Sequence, residues 1–329
     1  MTDIDIESRN NQDSNRIEQI EKLHGMYYSS EESDRIKILQ KLNYLNDTRN
    51  YDKIESYFIS DENPEVRLEA AKVLAFNFKS HKAIKPILWV INNERDKSIK
   101  VAAVRLLVSI VDLNQDLREQ IIKILKSLLK DRDFRLKLEA IDSLTILNEI
   151  SIDETLIEFI HSDNRIVKNK AIRALGDLGS KKAVPYLLNN LAVDSFDVWK
   201  FTFNSLCKII SKDLPKMLIE RLKELNNKTS SYSYKDGLFK KGIIKALGEI
   251  REDKKHEIFP ILDTLNDKFY WVRQEARDAL NKIDPNWKDK HKNYLKKIIS
   301  HIIYNRGIQV LENLSHFLEN FRDQLSLLF

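Results

Sequence analysis

From Arg16 onward, apolar residues recur three and four positions apart along nearly the whole chain. Ile17, Ile20, Leu23 and His24 form one such stripe, and Ile36, Leu39, Leu42 and Leu45 form another. A helix turns about 100° per residue, so this spacing gathers apolar side chains on one face and predicts amphipathic helices. Short polar clusters break the pattern at Asn46-Asp47-Thr48, Ser60-Asp61-Glu62-Asn63-Pro64, Asn92-Asn93-Glu94-Arg95-Asp96, Lys130-Asp131-Arg132-Asp133 and Ser162-Asp163-Asn164. Asp, Asn and Ser side chains accept from the free N–H groups that open a helix, so each cluster marks a helix start. Residues 1–15 are polar and aperiodic and read as a disordered acidic tail.

The breaks repeat with the same chemistry behind them. The clearest unit is Asn63-Pro64-Glu65-Val66-Arg67-Leu68-Glu69-Ala70-Ala71-Lys72-Val73-Leu74. Equivalent runs begin at Asp96, Asp133, Asn164 and Asp197, and at Phe239 and Trp271. A small or short side chain holds one position in most of them: Ala70, Ala103, Ala140, Ala171, Thr202, Ile243 and Ala276, at spacings of 33, 37, 31, 31, 41 and 33. Each period also holds an earlier apolar helix, such as the one around Lys85-Pro86-Ile87-Leu88-Trp89 or Val184-Pro185-Tyr186-Leu187. One period is therefore two antiparallel helices. Such a unit cannot bury its own apolar face and must stack on its neighbours.

The Asp/Asn–x–x–Val/Ile/Leu–Arg/Lys–x–x–Ala…Leu runs resemble HEAT repeats, in particular the short HEAT-like repeats of the phycobilisome-lyase type. Gly176-Asp177-Leu178-Gly179-Ser180-Lys181-Lys182-Ala183-Val184-Pro185 is similar to the turn between repeats in that family, and Ala246-Leu247-Gly248-Glu249-Ile250 is a second such turn. The resemblance covers about residues 33–285. It implies an all-α fold, a right-handed α-solenoid of about seven helical hairpins. It also implies a ladder in which Asp96, Asp133 and Asn164 lie near Arg67, Lys100, Lys137 and Lys168. The fifth unit departs, with Trp199 near the basic position. The sixth departs further, with no acidic cap in register and an insertion at 226–237. Residues 286–329 lack the repeat. They read as a cap or dimerisation hairpin of two helices, Lys290–Tyr304 and Ile308–Leu328.

In solenoids of this kind the second helix of each hairpin lines the concave face, where partners usually bind. Helical geometry predicts that Leu68, Lys72, Ala75 and Lys79 point into it from the first unit. Val101, Arg105 and Val108 follow from the second, and Leu138, Asp142 and Thr145 from the third. Asn169, Arg173 and Gly176 come next, then Lys200, Asn204 and Cys207. Lys241, Lys245 and Gly248 occupy the sixth unit, and Gln274, Asp278 and Asn281 the seventh. The first half of the stripe is apolar through Leu68, Val101 and Leu138. The second half is basic through Arg173, Lys200, Lys241 and Lys245.

Composition sharpens this picture. Seven glycines and six prolines make only 13 turn-forming residues in 329, too few for a β-rich fold. The net charge of +5 is unevenly spread: residues 1–34 sum to −6 and residues 161–255 to about +9. A basic second half suits an acidic protein segment or nucleic acid. Cys207 is the only cysteine, which excludes an intrachain disulfide and fits a cytoplasmic setting. The acidic start has no signal-peptide pattern, and no apolar stretch is long enough to span a membrane.

Motifs for chemistry are sparse. None of the seven histidines lies three or four residues from another, so no metal site is expected. There is no glycine-rich phosphate loop and no GxSxG elbow, so neither a cofactor nor a catalytic residue is expected. Trp89 reads as core and Trp287 as the plug of the last repeat. Trp199 and Trp271 open inner helices in the basic half. There they either pack at repeat junctions or stack on bases, as in HEAT-like DNA glycosylases, with Asp194, Asp197 or Asp278 as carboxylates. The residues favour a non-enzymatic scaffold or adaptor that binds a protein partner. Nucleic-acid binding is the alternative, and the family resemblance alone adds a bilin lyase or its chaperone subunit.

Overall fold

The computed structural model describes residues 3–78, 81–111, 115–228, 232–250, 258–298 and 300. All regular structure among them is helical. The chain divides into two compact units, residues 1–174 and 175–329.

The first unit opens with α1 (Asp3–Tyr27) and α2 (Glu32–Leu45). Hairpins follow: α3 (Tyr51–Ser60) with α4 (Pro64–Phe78), α5 (His81–Asn93) with α6 (Lys97–Ser109), and α7 (Gln115–Leu128) with α8 (Phe134–Ile146). After α9 (Asp153–Phe159) comes α10 (Arg165–Asp177). The second helices stack on one another, α2 on α4, α4 on α6 and α6 on α8, while their hairpin partners form a second layer. The second unit continues with α11 (Val184–Asn189), α12 (Phe196–Ile210), α13 (Leu214–Asn226), α14 (Tyr234–Glu249), α15 (Phe259–Asp263), α16 (Tyr270–Ile283) and α17 (Trp287–Lys290). The closest of its helix pairs is α14 with α16. The described residues thus hold the helical hairpins of an all-α solenoid fold, seven of them from α3/α4 to α15/α16, behind a leading pair. Residues 292–298 add a helical segment. Most of the two C-terminal helices expected from the sequence lies outside the described residues.

The seven repeating positions 70, 103, 140, 171, 202, 243 and 276 are all at most 1% exposed. The register read from the sequence therefore follows the core. Thr202 is the polar exception, and it is satisfied: its hydroxyl donates to the Val198 carbonyl at 2.8 Å and accepts from Asn190 at 2.9 Å. The helix starts also fall where the polar breaks put them. Asn63 accepts from the N–H groups of Glu65 and Val66, Asp96 from Ser98 and Ile99, Asp133 from Arg135, and Asn164 from Ile166 and Val167.

Four expectations change. Helix α1 begins at Asp3, so helix covers most of the stretch read as a disordered tail. Extending a helix costs far less than starting one, and the packed residues Ile20, Leu23 and Tyr27 anchor its far end. Trp89 is 43% exposed, because the buried stripe of α5 runs through Ile84, Ile87, Val90 and Ile91 and position 89 falls off it. The sixth hairpin does have a cap. Ser233 and Asp236 form a reciprocal capping box at the start of α14, several residues earlier than the repeat pattern suggests. Finally, Ala75, Gly176 and Gly248 are buried rather than displayed on the inner face. They sit where one inner helix meets the next: Gly248 lies against Ala279 and Gly176 against Ser205.

Candidate binding surface

In the first unit, Leu68, Val101 and Leu138 are half-buried, so the apolar stripe is partly covered by its own neighbours. Its cations are engaged. Lys72 is paired with Glu69 at 2.9 Å along the same helix. Arg105 on α6 reaches Glu139 on α8 at 2.9 Å, and Asp142 on α8 takes Lys170 on α10 at 2.6 Å. Lys79 lies outside the described residues, and Arg173 is exposed. Adjacent inner helices in this unit are thus stitched by opposite charges that cancel locally.

The second unit begins and ends with the same device, Asp177 with Lys208 and Glu249 with Lys282. Between those rungs the pattern changes. Among the described residues, Lys200 on α12 and Lys241 and Lys245 on α14 make no ion pair. Lys200 is exposed, with its ammonium 6.0 Å from the centre of the Phe196 ring. Lys245 Nζ lies 4.3 Å over Phe196 and 4.5 Å over Trp199. Aromatic faces attract cations but leave their charge uncancelled.

The aromatic row beneath these lysines comes from α12 alone. Phe196, Trp199 and Phe203 fall three and four residues apart and stack along the helix. Their ring centres are 6.2 Å and then 5.3 Å apart, with planes at 21° and 9°. Trp199 is 4% exposed, and its indole N–H donates to the Gly242 carbonyl on α14 at 3.0 Å. It is a packing residue joining two hairpins and has no free face for a base. Trp271 is half-buried, stacked on Phe269 at 4.8 Å and edge-on to Tyr234. Phe196, at 55% exposed, is the ring of this row that remains open.

Glu275 on α16 completes the surface. It is half-buried, with Lys241, Lys245 and Lys282 in its electrostatic field. Burial pushes its carboxyl above the ordinary range, and the two α14 lysines only partly offset this. Burial also lowers the Lys245 ammonium from its ordinary value, Glu275 opposes that shift, and Lys241 and Lys282 reinforce it. Lys241 and Lys245, four apart on α14, repel each other. The surface therefore sets Lys241 and Lys245 beside a poorly solvated carboxyl, with Glu249 also acting on Lys245 and Asp278 on Glu275. Of the nine residues predicted to bind a partner, Lys200, Lys241 and Lys245 come together here. Leu68, Lys72, Val101, Arg105, Leu138 and Arg173 lie in the other unit, where Lys72 and Arg105 are already paired. Asp194 and Asp278 are exposed, and Asp278 accepts from the Gln274 amide. Sequence reasoning missed Glu275, since its role depends on how α14 and α16 pair.

Residues 51–145 and 121–206 match the family model for HEAT repeats. These are HEAT repeats. They run from α3 through most of α12, so the matched HEAT segment ends within the helix that carries Lys200. Two solved structures resemble the chain. One is the complex of CpcE and CpcF of phycocyanin lyase from Nostoc sp. PCC7120, at 16% identity and a TM-score of 0.40, covering 70% of this chain and 92% of that one. The other is human deoxyhypusine hydroxylase in complex with glycerol, at 15% identity and a TM-score of 0.36, covering 83% of this chain and 98% of that one. No curated protein matches the chain.

The charge ladder implied by the HEAT resemblance is present in altered form. Arg67 pairs with Glu94, not Asp96, and also donates to the carbonyls of Asp61 and Glu62. Asp96 is occupied as an N-cap. Asp133 lies 3.5 Å from Lys97 rather than Lys100, and Lys137 sits over the Phe159 ring. The equivalent rung of the second unit is Lys240 with Asp267 at 2.8 Å, nearly fully buried.

Proposed function

We propose that this HEAT-repeat chain is a non-enzymatic scaffold or adaptor, acting in the cytoplasm, that holds a partner protein through an acidic segment laid across α12 and α14. One observation carries the reading: among the described residues, Lys200, Lys241 and Lys245 make no ion pair, whereas the inner-face rungs on either side of them are neutralised. Three uncancelled ammonium groups on two packed helices form a fixed positive site with little left to order on binding. The partner's carboxylates would take the ion pairs this surface lacks. Phe196 offers an apolar contact beside them.

Nucleic-acid binding is the weaker reading, because Trp199, one of the two tryptophans that could have stacked on bases, is spent on the α12–α14 junction. Hydrogen exchange of the full chain with and without an Asp/Glu-rich peptide tests the proposal. Added protection is expected in α12 and α14, and it should vanish in a Lys200→Glu/Lys241→Glu variant. Peptide binding without protection there would refute it.

A further inference from the structure

A second surface lies in the first unit. Helices α1 and α2 enclose a groove of about 780 Å³. Its apolar wall includes Leu23, Met26 and Tyr44, and its rim carries Lys22, Lys37 and Lys41. No carboxylate lines it. Tyr44 is 90% and Met26 48% exposed, so large apolar side chains of the groove stand open to solvent. Lys37 is balanced only by the exposed Asp34 on its own helix, and neither Lys22 nor Lys41 has an ion pair among the described residues.

We propose that this groove receives an amphipathic helix of a partner protein, with an apolar stripe flanked by Asp and Glu. The groove is bounded by two helices, which suits a third helix laid along it with anchors one turn apart. The exclusively cationic rim selects acidic flanks and rejects basic ones. This surface is independent of the α12–α14 lysines.

The test is a displayed library of helical peptides panned on the full chain and counter-selected on a Lys22→Glu/Lys41→Glu variant. Both changes are at exposed positions, and a thermal melt verifies the fold. Peptides kept by the native chain and lost on the variant should carry apolar residues at i, i+3 or i+4 and i+7, with acidic neighbours. A synthetic representative should bind the variant, and separately Met26→Asp, at least about tenfold more weakly. It should bind the Lys200→Glu/Lys241→Glu variant unchanged, which separates this groove from the proposed scaffold site. Enrichment of basic or neutral peptides, or no differential enrichment, would overturn the proposal. So would phosphatidylserine vesicles that co-sediment with the chain and lose it through the same variants, since that result assigns the groove to a membrane surface.

Discussion

His24 shows how much one side chain can be constrained by a fold that is otherwise generic. It is 5% exposed, with Nδ1 at 2.9 Å from the Tyr57 hydroxyl and Nε2 at 2.9 Å from the Asn50 side-chain oxygen. The Asn50 oxygen only accepts, so Nε2 donates to it, and in the neutral ring Nδ1 accepts from the Tyr57 hydroxyl. Burial accordingly lowers its pKa from the ordinary 6.5. The unfolded chain then binds a proton that the folded chain resists, so stability falls as pH drops below about 6.5. The urea midpoint should decline between about pH 7.5 and 5.5 in the native chain and decline less in His24→Gln. Parallel declines would remove His24 as the cause. Lys240 makes a sharper case. Its side chain and that of Asp267 are 7% and 1% exposed, and Tyr232 also donates to the same carboxylate. Lys240→Met strands a buried charge and should cost about 3 to 5 kcal/mol in chemical denaturation. A loss below about 1 kcal/mol would mean that Asp267 is rehydrated or protonated. Lys240 follows Phe239 in the sixth repeat run, but nothing in the sequence placed it in the ladder or identified its partner. Asp267 sits in the turn between α15 and α16, 27 residues from Lys240 along the chain, so the pairing depends on how α14 and α16 meet.

Elements were the most legible level. Their starts depend on local chemistry, a capping oxygen before an apolar stripe, and the repeating small position follows directly from how closely two helices approach. Contacts between hairpins were not legible, because they depend on which faces meet. Gly176 and Gly248 read as display positions by angle alone, yet they are contact points between stacked inner helices. Gly242 is the strongest instance. A Cβ there would run into the Leu191 carbonyl, and the Gly242 carbonyl itself holds the Trp199 indole. Gly242→Ala should therefore destabilise the second unit by about 1 to 3 kcal/mol, although alanine favours helix. A neutral or stabilising effect would show that the α12–α14 junction yields easily. By contrast, Asp96→Ala removes only a cap, and its cost should be about 1 kcal/mol in the same assay.

At the scale of the molecule, the charge asymmetry seen along the sequence is converted into a pattern on the surface. The excess of basic residues in 161–255 does not by itself identify a site, since many of those lysines are paired or scattered. What distinguishes this part of α12 and α14 is that Lys200, Lys241 and Lys245 make no ion pair among the described residues, while Glu275, which acts on two of them through space, is poorly solvated. Binding there should be electrostatic and should weaken as salt rises. The decisive measurement is fluorescence anisotropy of the full chain against a labelled Asp/Glu-rich peptide and against single- and double-stranded DNA and RNA, at about 50 and 200 mM salt. A Lys200→Glu/Lys241→Glu/Lys245→Met variant serves as the comparison, since methionine keeps the packing on Phe196 and Trp199 while removing the charge. The account predicts that the peptide binds more tightly than any oligonucleotide, and that the variant loses at least about tenfold in affinity. Oligonucleotides binding more tightly than the peptide, or a variant that binds the peptide as well as the native chain, would contradict it.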